Sequence, residues 1–173
     1  MDPIDYLAAL PVVLVAGLLI VAAASDARRY LIPNWVSFGI LLLFLPYALL
    51  SPSTPDWQGG LIVASAALAV GFGIFTLRLM GGGDIKLIAA CALWAGPALI
   101  LPFLFIVSAA GGALALGLMV GRTIAARRRG ATHASNHSPT VPLMRQKIPY
   151  GLAISAGGLF LLARHLDALG FTL

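Results

Sequence analysis

The chain has 173 residues, 60% of them hydrophobic and only 10% charged, with a mean hydropathy of +0.98. A soluble domain of this length cannot bury that much apolar surface, so the composition predicts an all-α, polytopic membrane protein. At roughly 20 residues per span there is room for about six helices and no sizeable extramembrane domain. The single Cys91 excludes a disulfide framework and a cysteine-based zinc site. The net charge of +5 is carried at helix ends, which reads as topology and contact with anionic lipid, with no nucleic-acid partner.

The first apolar run covers roughly 5–25 and is preceded by Asp2 and Asp5 but no Lys or Arg. A cleaved signal peptide has a basic start and a shorter core, so this run is expected to be a retained helix with its N-terminus outside. It ends at Ser25-Asp26-Ala27-Arg28-Arg29-Tyr30. Ile32-Pro33-Asn34 is a break and restart, because proline disfavours helix in the residue before it and suits a first turn. A second helix is expected over 34–50, and Ser51-Pro52-Ser53-Thr54-Pro55-Asp56 forms a polar turn. A third covers 58–79 and stops at Gly81-Gly82-Gly83. The fourth starts near Asp84 and runs to about Trp94. Gly96-Pro97 and Pro102 predict a turn or a kinked entry to a fifth helix ending near Arg122. Residues 123–147, with Arg127-Arg128-Arg129, form one long basic loop, and a sixth helix covers 148–169.

Six spans with the N-terminus outside place the 28–33, 78–86 and 122–147 connections in the cytoplasm, where ten of the eleven Lys and Arg residues fall. The six acidic residues are all Asp. Asp2, Asp5, Asp56 and Asp167 fall outside, which leaves Asp26 and Asp84 on the cytoplasmic side, both at helix ends and hence at similar depth. Carboxylates in membrane helices are costly and are functional candidates by default.

Two carboxyl groups at one depth can hold a water between them. One takes a proton from the water while the other donates to the carbonyl under attack. In close contact they share a proton and titrate as a unit. The chemistry that needs such a pair is hydrolysis without a metal or a covalent nucleophile. Taken singly, each residue has a plainer role. Asp84 would cap the fourth helix, and Asp26 would be neutralised by Arg28 or Arg29. The glycine run and the segregation of charge favour the pair. The helix dipoles further assign Asp84 as the resting base and Asp26 as the resting acid, an assignment that Arg28 and Arg29 oppose.

Gly81-Gly82-Gly83-Asp84 fits the Gly-x-Gly-Asp motif of intramembrane aspartyl proteases. With Lys86-Leu87, the Asp26 segment with Ile32-Pro33-Asn34, and the late Ile148-Pro149-Tyr150-Gly151, the chain resembles the type IV prepilin peptidase family over roughly residues 20–155. Its length is similar to the short branch that serves tight-adherence (Flp-type) pili. The resemblance implies that Asp26 and Asp84 are the catalytic residues of a multi-pass enzyme of the bacterial inner membrane. It implies a prepilin or pseudopilin substrate, whose short basic leader is cut after a glycine beside the apolar helix of the mature pilin. It implies no cofactor and no metal. Longer members carry an N-terminal domain with a four-cysteine zinc site and N-methylate the new pilin terminus. This chain is expected to be a single peptidase domain, 1–173, without that domain or activity.

The glycines Gly81, Gly82 and Gly83 are candidates to let an extended substrate approach the carboxylates. Pro149, Tyr150 and Gly151 open the sixth helix on the same face and are candidates to line the cleft. Lys86, two residues from Asp84, is expected to be a snorkelling anchor. His133 and His137 have metal-ligand spacing, but in a Ser/Asn/Pro-rich loop. Ser155 and His165 lie too far apart along one helix for direct contact, about 15 Å. Ala113, Gly117 and Gly121 form a small-residue stripe suited to helix packing. The rival functional class is a proton- or ion-coupled transporter using Asp26 and Asp84, disfavoured because neither lies in mid-helix. A purely structural membrane scaffold would leave the Asp pair unexplained.

Overall fold

The computed structural model describes residues 3–52, 54–130 and 149–171. Every element among them is an α-helix: α1 (Pro3–Arg29), α2 (Asn34–Leu50), α3 (Trp57–Thr76), α4 (Gly82–Gly130) and α5 (Tyr150–Ala168). Three stretches are long and apolar enough to cross a membrane, Ile4–Arg29, Trp57–Thr76 and Gly82–Ala125, and Asn34–Leu50 is a shorter apolar helix. Asp2, His133, His137, Ile148 and the greater part of the expected basic loop lie outside the described residues.

The fourth and fifth expected helices form one element with a break at Gly96, whose backbone (φ 55°, ψ −172°) is not helical. Pro97 opens the second arm, where its missing N–H costs little, and Pro102 is accommodated further along. Toward its far end the element runs on to Gly130, so the expected boundary near Arg122 is corrected. Ala, Ile and Arg after Thr123 are able helix formers, and nothing before Gly130 interrupts them. At the other end of the chain, α1 runs on through Asp26 to Arg29 and stops at Tyr30, which has a positive φ of 53°.

The first arm of α4, residues 82–95, is the centre of the molecule. Ala89 through Ala95 are all buried, so this part of the arm is apolar around its circumference and largely covered by its neighbours. α4 packs against α2, α3 and α5, and α1 packs against α2 and α5. The buried stripe of α1 (Ala8, Val12, Val15, Leu19, Ala22) and that of α2 (Val36, Ile40, Phe44, Tyr47) recur every three to four residues, as one helix face requires. α5 runs antiparallel to α1: Tyr6 meets Phe171 edge-on at 5.5 Å at one end, and Gly151 meets Asp26 at the other.

Small residues bring the helices together, but not those the sequence singled out. Among the described residues, Gly117 and Gly121 have nothing within 4 Å of where a β-carbon would stand. Close approaches occur instead at positions such as Gly158, where a β-carbon would lie 2.7 Å from Leu19 Cδ1, and Gly60, where it would lie 2.8 Å from the Leu93 carbonyl. That carbonyl has no helical donor four residues on, because the position is Pro97.

Polar groups in the core are tied at the end of the bundle away from Asp26. The break at Gly96 deprives the carbonyls before it of helical partners. The Trp94 carbonyl accepts from His165 Nε2 at 2.9 Å. A carbonyl only accepts, so in the neutral ring His165 Nδ1 is the acceptor for the Tyr47 hydroxyl, also at 2.9 Å. Trp94 Nε1 donates to the Ile40 carbonyl at 3.0 Å. Three helices are thereby locked in register.

Candidate active site

Asp26 continues the buried stripe of α1, four residues beyond Ala22, and is 5% exposed. Its carboxyl therefore points into the bundle, while Arg28 and Arg29 are exposed on other faces. Among the described residues the ion pair is Arg164–Asp167 at the far end of α5, so neither arginine neutralises Asp26. What Asp26 meets instead is the start of α5. Oδ2 accepts the Gly151 N–H at 2.6 Å, and the Leu152 N–H also bonds to the carboxyl. These are two of the N–H groups that a helix start leaves unpaired.

Asp84 is the third residue of α4 and is half-buried. Gly81 stands before the helix, and its carbonyl accepts the first helical bond from the Ile85 N–H at 3.3 Å. The Asp84 carboxyl reaches back to the Gly81 N–H, the returning half of a capping box. The expected N-cap role is thus displaced by three positions. The carboxyl groups of Asp26 and Asp84, 58 positions apart in the sequence, lie close enough for the charge of one to act on the other.

Ile32 joins the two halves. A β-carbon on Gly83 would lie 3.2 Å from Ile32 Cβ, and one on Gly151 would lie 2.9 Å from Ile32 Cδ1. The same atom on Gly151 would lie 2.8 Å from both Cβ and Oδ2 of Asp26. No side chain fits at Gly151 without moving Asp26 or Ile32. The turn that carries Ile32 is pinned by Ser25 Oγ, which donates to the Leu31 carbonyl at 2.7 Å.

Of the residues selected from the sequence, Gly81, Gly83 and Gly151 are brought against the two carboxylates or their shared neighbour Ile32. Gly82 faces the Phe75 ring and an open hollow of about 670 Å³ between α3 and α4, lined also by Ala69, Phe72, Ile85 and Lys86. Pro149 is the buried residue before α5, and Tyr150 turns toward Gly111 on the second arm of α4. Lys86 is exposed, as expected, and additionally donates to Asn34 Oδ1 at 3.0 Å, linking the starts of α2 and α4. Ser155 donates to the Leu19 carbonyl at 2.9 Å and makes no pair with His165. No group of three or more metal-ligating side chains occurs among the described residues.

Sequence reasoning missed the Gly151 N–H as a partner of Asp26. It also missed Asn34 as the partner of Lys86. The only local signals were the presence of Gly151 after Pro149 and of Asn34 after Pro33, which by themselves read as helix starts.

The geometry thus gathers the three segments that carried the family resemblance at one end of the bundle. The sequence profile of the type IV leader peptidase family matches residues 13–116. The chain belongs to that family. It is also 31% identical, over 156 residues, to the prepilin leader peptidase/N-methyltransferase of Bacillus subtilis (strain 168), covering 86% of this chain and 53% of that protein. The chain thus spans about half the length of that relative. No solved structure matches it. In this leader peptidase family member the matched stretch contains both Asp26 and Asp84, whereas Gly151 lies beyond it. The partner of Asp26 comes from α5.

Proposed function

We propose that the chain is an intramembrane aspartyl endopeptidase that removes the short basic leader of a type IV (Flp-type) prepilin after a glycine. The observation that supports the reading is that Asp26 and Asp84 lie near enough for the charge of one to act on the other, each with its carboxyl bonded to a backbone N–H at a helix start, at one end of an apolar bundle. Such fixed donors orient a carboxyl group and leave its remaining lone pairs free for water or substrate.

In the proposed reaction one carboxylate accepts a proton from a water held between the pair, and the water oxygen bonds to the scissile carbonyl carbon. The other carboxyl gives its proton to the carbonyl oxygen. Collapse of the resulting gem-diol breaks the C–N bond, the amine leaves with a proton from the carboxyl that took one, and the other carboxyl recovers its own. Asp26 lies within α1 and faces the N-terminus of α5, so a helix N-terminus is near each carboxyl. The dipole difference on which the base and acid assignment rested is therefore reduced, although Asp26 still lies in the last turn of α1.

Six crossings with the N-terminus outside remain the proposed topology, in the bacterial inner membrane. The apolar stretch Gly82–Ala125 would be about 66 Å long if straight, roughly twice the hydrocarbon thickness, and it breaks at Gly96. Two crossings fit it better than one. That topology puts both aspartates and the basic ends at the cytoplasmic face, where a basic leader and the adjoining apolar helix would present the scissile bond. Belonging to the leader peptidase family weighs against a transporter that uses the same two residues.

The test is to co-express a prepilin with wild type, Asp26→Asn and Asp84→Asn and to follow leader removal on a gel. Wild type is expected to shorten the prepilin and both variants to leave it intact. Cleavage that survives either substitution, in protein shown to be inserted, overturns the two-carboxyl mechanism.

A further inference from the structure

α2 and α3 both pack on α4 but not closely on each other. The space between them is a long trough. Its middle hollow, about 430 Å³, has Ser37 and Phe38 of α2 on one wall, Ala64 and Ser65 of α3 on the other, and Lys86 and Ala89 of α4 as its floor. Leu41 continues the first wall into a second hollow of about 460 Å³, floored by Leu93 and bounded by Leu61 and Trp57. The floor residues Lys86, Ala89 and Leu93 are spaced by three and four, so they are one face of α4. In the opposite direction Ser65, Leu68 and Lys86 are shared with the hollow that reaches Gly82. From Trp57 to Phe75 the α3 wall is about 27 Å long, close to the roughly 30 Å hydrocarbon thickness of a bilayer.

We propose that this trough holds the apolar helix of the substrate. The inference rests on the peptidase reading and adds the place where the substrate lies. Its occupant follows from continuity. The trough ends at Gly82, two residues before Asp84, so a helix lying in it leaves the bilayer where the next stretch of chain meets the carboxylates. Its walls are apolar and open, with Phe38 66% and Leu45 60% exposed. The small residues Ala64, Ser65 and Ala89 at the floor and lower wall permit close backbone approach, as at helix–helix contacts in membranes. A second observation points to an incoming group. Ser37 is 3% exposed, and its hydroxyl is the buried side-chain polar atom without a partner among the described residues. It lines the same hollow. A buried hydroxyl is normally satisfied, and a polar atom of an arriving helix would supply what it lacks. An acyl chain would fill the trough but leave Ser37 unpaired.

The test places p-benzoylphenylalanine in turn at Phe38, Leu45 and Phe72, and, as outward-facing controls, at Val13 and Phe105. Full-length protein carrying Asp84→Asn, to hold the substrate uncut, is irradiated in membranes with a prepilin. Adducts with prepilin are expected at the three trough positions and not at the controls. In otherwise wild-type protein, Ser65→Phe is expected to raise KM for the prepilin about tenfold with little change in kcat, since overpacking a fitted surface costs on that order. It should leave cleavage of a leader peptide that lacks the apolar helix unchanged. Ser37→Ala is expected to raise the same KM about threefold. If wild type removes leaders while adducts form at Val13 or Phe105, or form at the trough with lipid alone, the trough proposal is overturned and the peptidase reading stands. If wild type removes no leader, both fail together.

Discussion

At the scale of single residues, the site depends on an atom that is absent. Gly151 brings its N–H to 2.6 Å from Asp26 because nothing projects from its Cα. Gly151→Ala forces a methyl group to within 2.8 Å of the Asp26 carboxyl, and either the helix or the aspartate must shift. A displacement of about 1 Å at a reacting group can cost on the order of a hundredfold in rate. Gly151→Ala is therefore expected to lower kcat for leader removal by about that factor while the protein still accumulates in the membrane. Quantifying cleavage against immunoblotted enzyme checks it, and near-normal kcat would show that the contact does not position Asp26. Lys86 belongs to the other category. Its bond to Asn34 is exposed, and exposed contacts of this kind are worth about 1 kcal/mol or less.

At the scale of elements, the break in α4 and the polar cluster around it act together. Gly96 ends the first arm with a positive φ, and the carbonyl of Trp94, left without a helical donor, is taken up by His165. Replacing His165 with Ala leaves the buried Trp94 carbonyl unpaired, at about 1–3 kcal/mol, and takes one partner from the Tyr47 hydroxyl, which also bonds to Ser51. His165→Ala is expected to lower the thermal midpoint in detergent clearly. His165 is 14 residues from Gly151 along α5, about 21 Å, so leader removal per folded molecule should persist at low temperature. Gly96→Ala is expected to destabilise by about 1–3 kcal/mol, the cost of forcing a residue with a β-carbon into a positive-φ, extended-ψ conformation that is essentially reserved for glycine. Both are read from thermal melts followed by circular dichroism, and unchanged melting would mean that the break is held by other contacts.

For the whole molecule, the decisive question is which end faces the cytoplasm. The native chain offers a quiet background for labelling, because its single cysteine, Cys91, is 2% exposed. Cysteines introduced at exposed Leu31 and Leu79, beside the two aspartates, are expected to react with an impermeant maleimide only in inside-out vesicles. Cysteines at exposed Tyr6 and Trp57 should react only from the opposite side. Labelling of Leu31→Cys from outside would reverse the proposed topology and separate the aspartates from a leader presented in the cytoplasm. The proposed topology would leave the trough between α2 and α3 open sideways to the bilayer, as entry of the proposed helical substrate requires.

Composition and periodicity made much of this readable in advance. Apolar spacing marked the helices, proline and glycine marked their breaks, and the distribution of Lys, Arg and Asp isolated Asp26 and Asp84 from four other aspartates. Those signals are local or additive, and a single chain displays them directly. Other features are set by which helices meet. Asp26 is 125 positions from Gly151, and no local rule pairs them. Whether a glycine is a contact or an open surface depends on its neighbour in space: Gly117 and Gly121 looked like packing residues and have no neighbour within 4 Å among the described residues, while Gly158 and Gly60 lie at close approaches. The course of α1 through Asp26 and of α4 to Gly130, and the trough left between two helices that share a floor, are likewise outcomes of packing. The sequence by itself determined which residues are the candidates for the chemistry, because charge in an apolar chain is scarce and costly. Only the tertiary structure decided what each of them touches, because contact follows from the docking of helix faces far apart in the chain.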